Sequence, residues 1–424
     1  MKKSQYNVEI QTLDGIIIYN SYSGELVELE GEEAVLWIKN PICLPGAALS
    51  FLKEHHFLIN DDYDEVQEIL DDFSSINENV STPPFFKILV TTHCNANCPY
   101  CYEEGYKPHF MSRETADSVV SFILSKSVGV KTISIAWYGG EPLLNSDIIT
   151  YICSNILDKR PDLCVNSVLL TNGSLINEDL VNSAVSCWNL KRVQITLDGL
   201  DERYSAMKRY SNEKYNFKLI INNIKILLKH NIRVKIRINY DNTSIIDAID
   251  LIDYLYSEFG NSISVYCSEL ISTSSYHTIQ QDEQDVKNGN CILFSRLLKY
   301  GYISAKKILA RKRVNCGFAA HEDFVLIDSY GNLHKCPHAL AHPEISRIGD
   351  VWTGVSELDT VKKWCTLTPP DSCKQCRYFP LCLGGCKCNS FGLPSSECFR
   401  YKKIIPEIIL HEYYARKKLG LYSI

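Results

Sequence analysis

Three cysteines stand within eight residues, directly after an apolar segment. The segment Phe86-Lys-Ile-Leu-Val-Thr-Thr predicts a buried strand, and the loop Cys94-Asn-Ala-Asn-Cys98-Pro-Tyr-Cys101 follows it. Packing does not explain three thiols at this spacing. Three thiolates on one short loop can instead bind three irons of a cubane 4Fe-4S cluster and leave the fourth iron without a protein ligand. The loop therefore predicts a metal cluster at which a reaction can take place.

Zinc is the alternative metal for this loop. A structural zinc ion takes four Cys or His ligands, and His93, next to Cys94 in the sequence, is poorly placed to share the metal of its neighbour. The spacing therefore favours an iron-sulfur cluster over a zinc knuckle.

The Cys-x3-Cys-x2-Cys pattern, with Tyr100 before its last cysteine, resembles the signature of the radical S-adenosylmethionine (SAM) enzymes. The resemblance implies that the methionine amino and carboxylate groups of SAM chelate the open iron. One electron from the reduced cluster then cleaves the sulfonium to a 5'-deoxyadenosyl radical, which takes a hydrogen atom from the substrate. An oxidoreductase of this kind also implies an external electron donor such as flavodoxin or ferredoxin.

Length, composition and charge describe an ordinary globular protein of two or three domains. The chain has 424 residues, 45% of them hydrophobic and 22% charged, with a net charge of -6. No basic run predicts nucleic-acid binding, and neither a signal peptide nor a membrane span is predicted. We therefore expect a cytoplasmic protein without nucleic-acid or membrane partners, whose 18 cysteines bind metal rather than form disulfides.

Residues 1–83 predict a small α+β domain. Its predicted elements are strands at 7–12, 15–19 and 26–29, helices at 32–39, 45–54 and 62–73, and a strand or turn at 57–59. Asp14-Gly15 favours a tight hairpin. This order resembles the winged-helix-like domain with which peptide-modifying enzymes hold the leader of a precursor peptide, and a strand edge can bind such a peptide by β-augmentation. A structural cap is the alternative, and Pro83-Pro84 predict the boundary.

Residues 84–290 alternate strand and helix patterns, which predicts an α/β fold with parallel strands. The predicted strands are 86–92, 133–138, 167–171, 192–197, 233–239 and 262–267. Six such units resemble the partial (β/α)6 TIM-type barrel of the radical SAM family. In barrels of this type the chemistry collects at the carboxyl ends of the strands.

The candidate cofactor contacts follow this rule. The second strand ends in Gly139-Gly140-Glu141, which resembles the family's Gly-Gly-Glu motif, and the resemblance implies contact with the methionine amino group of SAM. The third and fourth strands end near Asn172, Thr196 and Asp198, which resemble strand ends that line the cofactor site. On the fifth strand Arg237 belongs to the polar set predicted to face the lumen. Its guanidinium can bind the cofactor's carboxylate or form a salt bridge inside the barrel.

The other barrel cysteines have no metal-like spacing. We interpret them as small core hydrophobes; they are Cys153, Cys164, Cys187 and Cys267.

Residues 291–424 carry a second cysteine pattern, which resembles the seven-cysteine SPASM domain of radical SAM enzymes that act on peptides and proteins. The resemblance assigns one auxiliary 4Fe-4S cluster to Cys373, Cys376, Cys382 and Cys398, and a second to Cys316, Cys336 and Cys386, so that three clusters are expected in all.

The fourth ligand of that second cluster is open. We favour Cys291, with Cys365 and Cys388 as spare candidates, over an iron left open for the substrate. A hairpin at Ser329-Tyr-Gly-Asn332 is expected to bring Cys316 and Cys336 to one site. A pair of zinc sites is the alternative for the whole pattern, and a structural helix is expected near 404–418.

The resemblance covers residues 86–398 and implies a radical SAM maturase. It would abstract a hydrogen atom from a ribosomally made precursor peptide and close a thioether or carbon-carbon crosslink, with an auxiliary cluster accepting the second electron. The alternative is an anaerobic sulfatase-maturating enzyme that forms formylglycine. Those relatives carry an aspartate after the cysteine equivalent to Cys336, where this chain has Pro337-His338. A non-enzymatic alternative is a peptide-binding scaffold stabilised by its clusters.

Overall fold

The computed structural model describes residues 1–79, 83–101, 103, 105–270, 277, 283–312, 316, 319–366, 368–393 and 401–419. Contacts divide the chain into two compact units. The first comprises Met1–Val80, Ile303–Gly317 and Thr366–Ile424, and the second comprises Ser81–Tyr302 and Phe318–Cys365. No helix of the described residues is long and apolar enough to cross a bilayer.

The N-terminal part of the first unit is α+β, as predicted. Its elements are β1 (Lys2–Lys3), β2 (Asn7–Gln11), β3 (Gly15–Asn20), β4 (Leu26–Glu30), α1 (Gly31–Lys39), α2 (Gly46–Glu54), β5 (Leu58–Ile59) and α3 (Glu65–Asn79). Strands β2, β3 and β4 form an antiparallel sheet, and β1 pairs with β5. The predicted hairpin at Asp14-Gly15 is confirmed by the pairing of Gln11 with Ile16. The sheet and helices share a core that includes Ile16, Trp37 and Leu52.

The six predicted parallel strands of the second unit all occur, with ends within three residues of those expected. They are β6 (Phe85–Thr91), β7 (Thr132–Gly139), β8 (Cys164–Thr171), β9 (Leu190–Leu197), β10 (Arg233–Tyr240) and β11 (Ile263–Glu269). Each pairs in parallel with the next along the chain. The α/β class with a partial six-stranded barrel is therefore confirmed.

Helices connect these strands as crossovers. They are α4 (Arg113–Lys126), α5 (Ser146–Lys159), α6 (Glu178–Cys187), α7 (Asp201–Lys208), α8 (Phe217–Lys229), α9 (Ile245–Phe259) and α10 (Glu283–Lys299). The spacing of apolar residues decides which face is buried: on α8, Ile220, Ile224 and Leu227 lie on one face and are at most 1% exposed. The N–H of Leu219 donates to the Asn216 side chain, which caps the start of α8.

The sheet of the second unit continues into the cysteine-rich part of the sequence. The added elements are β12 (Phe324–Ile327), β13 (Asn332–His334), α12 (Pro343–Ser346), β14 (Arg347–Asp350), β15 (Gly354–Val355) and α13 (Leu358–Cys365). The ten strands lie in the order β11-β10-β9-β8-β7-β6-β12-β13-β14-β15. The predicted hairpin is confirmed, because β12 and β13 pair antiparallel. Strand β12 also pairs in parallel with β6, which satisfies backbone groups that an edge strand leaves unpaired.

The C-terminal segments of the first unit add short helices to the N-terminal elements. They are α11 (Ala305–Ile308), α14 (Asp371–Lys374), α15 (Phe379–Cys382) and α16 (Ile405–Lys418), the last at the predicted position. Phe379 and Leu383 pack in one buried cluster with Tyr6, Ile69 and Phe73. The domain division at residues 83 and 290 stays a prediction, while the compact units split residues 291–424 between them.

Candidate active site at the strand ends of the barrel

The three-cysteine loop follows β6, and backbone hydrogen bonds hold it in place. The N–H of Asn97 donates to the carbonyl of Lys208 over 2.9 Å, and the N–H of Cys101 donates to the carbonyl of Cys98 over 3.1 Å. On the other side of the loop, the N–H of Glu141 donates to the carbonyl of His93 over 2.9 Å. The loop therefore sits between the end of β7 and the end of α7.

The three thiols lie in one low-dielectric environment. Burial raises the pKa of Cys94 to about 12 and the pKa of Cys101 to about 11, and it also raises the pKa of Cys98. Cys98 and Cys101 also contribute to the raised pKa of Cys94. Buried thiolates of this kind need cationic partners, and three soft sulfur donors are what the irons of a 4Fe-4S cluster take.

Zinc stays the alternative metal for this loop. Within the ranges that the structure covers, no three His, Cys, Asp or Glu side chains are grouped as a single metal ion requires. In an iron-sulfur cluster each thiolate instead binds its own iron. The Cys94, Cys98 and Cys101 donor set fits that group.

Two glycines let the end of β7 approach the cysteine loop. A Cβ atom on Gly139, whose φ is +126°, would lie 2.0 Å from the carbonyl oxygen of Thr91, and one on Gly140 would lie 2.4 Å from that of His93. Neither distance is compatible with a side chain. These positions require glycine, and the backbone of the predicted Gly-Gly-Glu motif is placed directly against the loop.

Glu141 is the most tightly held side chain of the site. It is fully buried and accepts hydrogen bonds from the Thr171 hydroxyl (2.7 Å), the Asn172 N–H (2.8 Å) and the Leu143 N–H (3.1 Å). Burial raises its pKa to about 7, and these donors limit the rise. The carboxyl group thus ties β7 to the end of β8.

Asn172 extends this network to the cysteines. Its side-chain amide donates to Asn95 Oδ1 over 2.8 Å and to Cys94 Sγ over 3.9 Å. The structure therefore brings together two strand ends and the loop, as the sequence predicted.

A buried cluster of Tyr100, Asp198 and Lys208 forms the opposite wall. The Tyr100 hydroxyl lies 2.7 Å from both carboxylate oxygens of Asp198, and Lys208 Nζ lies 3.0 Å from Asp198 Oδ2 and 3.1 Å from Tyr100 Oη. Burial lowers the pKa of Lys208, but the charges of Asp198 and Tyr100 outweigh it and hold that pKa well above its ordinary value. The sequence analysis did not predict Lys208 as a site residue. The only feature of the sequence that points to it is its position ten residues after Asp198, a predicted site residue.

Arg237 lies on the polar face of β10, as predicted. Its Nε donates to Asn239 Oδ1 over 2.8 Å and its Nη2 to Ser268 Oγ over 3.1 Å, and its Cα is in register with Thr196 on β9. Within the described part of the chain no carboxylate pairs with Arg237, so the internal salt bridge is not formed there. In that part of the chain, the two side chains that accept hydrogen bonds from Arg237 are neutral.

The sequence analysis also did not predict a second buried charged residue, Lys87. Lys87 is 8% exposed on the otherwise apolar β6, and its Nζ lies 3.6 Å from the centre of the Tyr138 ring. Burial raises the pKa of Glu103 to about 7 against the effect of Lys87. Burial, Lys87 and Arg237 lower the pKa of His338 to about 4. His338 is nonetheless solvent-exposed.

The cysteines predicted for auxiliary clusters are divided between the units. Cys316, Cys373, Cys376, Cys382 and Cys386 belong to the first unit and Cys291 and Cys336 to the second, while Cys398 lies outside the described residues. The N–H of Cys376 donates to the carbonyl of Cys373 over 3.0 Å, and the chain turns between Cys382 and Cys386 through three residues with positive φ. The two auxiliary ligand sets stay predictions.

The remaining cysteines are partly as expected. Cys153 and Cys267 are each 1% exposed core residues, as predicted. The core interpretation is wrong for Cys164, which is exposed at the first position of β8, and for Cys187, which is half-buried at the last position of α6. Of the spare candidates, Cys388 is fully buried, and the Cys365 thiol contacts the carbonyl of Ala319 at 3.8 Å.

Comparison with known proteins finds a family match within the barrel. Residues 88–254 match the Radical SAM superfamily. The chain is 25% identical to a cysteine-type anaerobic sulfatase-maturating enzyme of Clostridium novyi over 338 residues, which cover 70% of this chain and 86% of that protein. It is 32% identical to a probable GTP 3',8-cyclase of Methanocaldococcus jannaschii, but over only 33% of this chain and 43% of that one.

Two solved structures share the fold. The structure of anSMEcpe with bound AdoMet and Kp18Cys peptide has a TM-score of 0.61 at 18% identity, and the alignment covers 79% of this chain and 98% of that one. Streptococcus suis SuiB bound to precursor peptide SuiA has a TM-score of 0.52 at 17% identity, with 95% of this chain and 99% of that one covered.

Proposed function

We propose that this chain is a radical SAM maturase, which crosslinks a ribosomally made precursor peptide. The premise is that residues 88–254 match the Radical SAM superfamily. The observation that carries the proposal is the convergence of three strand ends on the cysteine loop. Asn172 contacts Cys94, Glu141 is bonded to Asn172, and Tyr100 of the loop is bonded to Asp198.

The family implies a 4Fe-4S cluster and SAM. Cys94, Cys98 and Cys101 would hold the cluster, and Gly139, Gly140 and Glu141 would contact the methionine amino group. Together the two cofactors would supply radical chemistry that can remove hydrogen from an unactivated carbon. The protein contributes position, charge and the exclusion of water.

Glu141 and Arg237 would orient SAM by charge. The three hydrogen bonds to Glu141 hold its carboxyl group in one orientation, and a bound ammonium group would favour the carboxylate form that burial disfavours. Among the described residues, the Arg237 guanidinium donates to Asn239 and Ser268, which are neutral, and a guanidinium can donate to a carboxylate in bidentate geometry. The two charges are complementary to an amino acid moiety.

A peptide substrate is supported by two findings. The solved structures of similar fold are named with a precursor peptide and with Kp18Cys peptide. The N-terminal sheet has β2 and β4 at its edges, and an extended leader can add to a strand edge through main-chain hydrogen bonds. Formation of a thioether or carbon-carbon bond removes one hydrogen atom, one proton and one electron from the peptide. The deoxyadenosyl group derived from SAM would take the hydrogen atom, solvent the proton, and an auxiliary cluster held by the C-terminal cysteines the electron.

The test uses the full chain, purified without oxygen and supplied with SAM, dithionite and a candidate precursor peptide. We expect 5'-deoxyadenosine and a peptide that has lost two hydrogens, with tandem mass spectra that locate a new bond between two residues. The C94A/C98A/C101A variant is the control and should make neither product. Absence of 5'-deoxyadenosine from the wild type would favour the scaffold alternative.

A sulfatase-maturating activity is the second candidate. The alignment with the Clostridium novyi enzyme over 86% of that protein favours it. Pro337, where such enzymes carry an aspartate, counts against it. A peptide containing the sulfatase cysteine would gain an aldehyde that reacts with a hydrazide probe, whereas the crosslinked product would not react.

A further inference from the structure

A lysine charge is buried beside the cysteine loop. The side chain of Lys208 is 4% exposed and that of its partner Asp198 is 1% exposed. Lysine is rarely buried to this extent unless it is paired. The ion pair with Asp198 explains how the Lys208 ammonium group can be buried. It does not explain why the group is buried beside the cysteine loop.

The ammonium group is fixed by two acceptors from separate elements. Asp198 follows β9, Tyr100 lies inside the cysteine loop, and Lys208 Nζ contacts both at 3.0 and 3.1 Å. Because Tyr100 also bonds to Asp198, the three polar groups form a closed triangle. The ammonium group thus has one defined position relative to the loop.

The main chain of the same residue holds the loop. Lys208 is the last residue of α7, and Arg209 after it has a left-handed φ of 48°. The carbonyls in the last turn of a helix lack partners within the helix. Here the Lys208 carbonyl accepts the N–H of Asn97 at 2.9 Å, and its oxygen lies 3.9 Å from Cys98 Sγ.

We propose that Lys208 is a positioning residue that fixes the cysteine loop through its carbonyl and makes reduction of the cluster held there more favourable through its ammonium charge. Asp198 limits that effect. The inference rests on the proposed function, because it requires the cluster at Cys94, Cys98 and Cys101.

The sign of the effect follows from electrostatics. Reduction moves one electron from an external one-electron donor to the cluster, so the reduced site carries one more negative charge. A fixed positive charge nearby stabilises that form, and screening by solvent is weak in a buried site. Asp198 carries the opposite charge 3.0 Å from the ammonium group, so it acts in the opposite direction.

The test is an anaerobic redox titration of the full chain, followed by electron paramagnetic resonance. The signal absent from C94A/C98A/C101A identifies the cluster of interest. For K208M we expect a reduction equilibrium at least tenfold less favourable, a shift of about 59 mV to more negative potential. D198N should shift the potential in the opposite direction, and K208R should keep the wild-type value. K225M removes an exposed lysine paired with Glu258 and should change nothing.

Each outcome decides the proposal. Opposite shifts in K208M and D198N support it, and unchanged potentials, or shifts in the same direction, overturn it. If K208M loses the cluster, the D198N potential alone decides: a less negative value supports the proposal, and any other value overturns it. A wild type without iron at the three cysteines would overturn the proposed function as well, so the two failures are distinguishable.

Discussion

At the scale of single residues, the site depends on close backbone approach. Gly140 lies against the loop residue His93, and the N–H of the next residue, Glu141, donates to the His93 carbonyl. A methyl group at position 140 would have to displace backbone rather than a flexible side chain. The contact between β7 and the loop would then open.

We therefore expect G140A to lower the free energy of unfolding by about 1–3 kcal/mol, the usual effect of overpacking, and to reduce the iron retained by the loop. Urea unfolding and iron analysis measure the two effects. G46A is the matched control, because nothing lies within 4 Å of a Cβ at Gly46. Equal behaviour of the two variants would show that the close approach is unimportant.

The buried Glu141 carboxyl group makes stability depend on pH. Its pKa is raised from 4.5 to about 7, so between these values the folded state binds a proton that the unfolded state has lost. The contribution of Glu141 to stability therefore falls as pH rises through this window, by about 3 kcal/mol in all.

In the metal-free protein, E141Q should gain stability relative to wild type as pH rises from 5 to 8, as measured by denaturant unfolding. E178Q is the control. Bonds to Lys229 and His230 lower the pKa of Glu178, so wild type should lose its advantage over E178Q as pH falls. A difference between E141Q and wild type that is constant with pH would contradict a raised pKa for Glu141.

At the scale of elements, the β12–β13 hairpin depends on one turn residue. Asp328 accepts the N–H groups of Tyr330 and Asn332, each at 2.9 Å, and its other oxygen contacts His334 Nε2 at 3.3 Å. A carboxylate with several donors stabilises a tight turn. Because β12 pairs with β6, this turn also supports the strand that precedes the cysteine loop.

We expect D328A to lower the free energy of unfolding by about 1–3 kcal/mol, since it removes the acceptor of the part-buried Asn332 N–H and the partner of the His334 ring. D162A, which removes an exposed partner of Arg160, should change the free energy of unfolding by less than about 1 kcal/mol. Thermal unfolding of the two variants makes the comparison. A D328A variant as stable as D162A would exclude this role.

At the scale of the whole molecule, the number of clusters is open. If all three predicted clusters form, the anaerobically purified wild type should contain about 12 irons per chain and C94A/C98A/C101A about 8, because each 4Fe-4S cluster contributes four. Iron and sulfide analysis makes the measurement. About 4 irons in the wild type, accompanied by zinc, would make the C-terminal cysteines a structural zinc module.

Sequence patterns predicted the parts of the fold that local interactions control. The alternation of Val234, Ile236 and Ile238 with polar residues predicted β10 and the polar face that carries Arg237. Asp14-Gly15 predicted its hairpin because this pair is typical of tight turns between strands. The cysteine spacing and Gly139-Gly140-Glu141 predicted which strand ends meet, since parallel strands place their carboxyl ends at one edge.

Tertiary structure decided what depends on distant partners. Whether Lys208 is exposed or buried follows from Tyr100, about a hundred residues earlier in the chain, and no local pattern carries that information. The same holds for β12, which joins the edge at β6 although 232 residues (92–323) lie between the end of β6 and the start of β12. The sequence by itself thus determined the elements and the cysteine loop, through periodicity and spacing. Long-range packing alone decided which charges surround that loop.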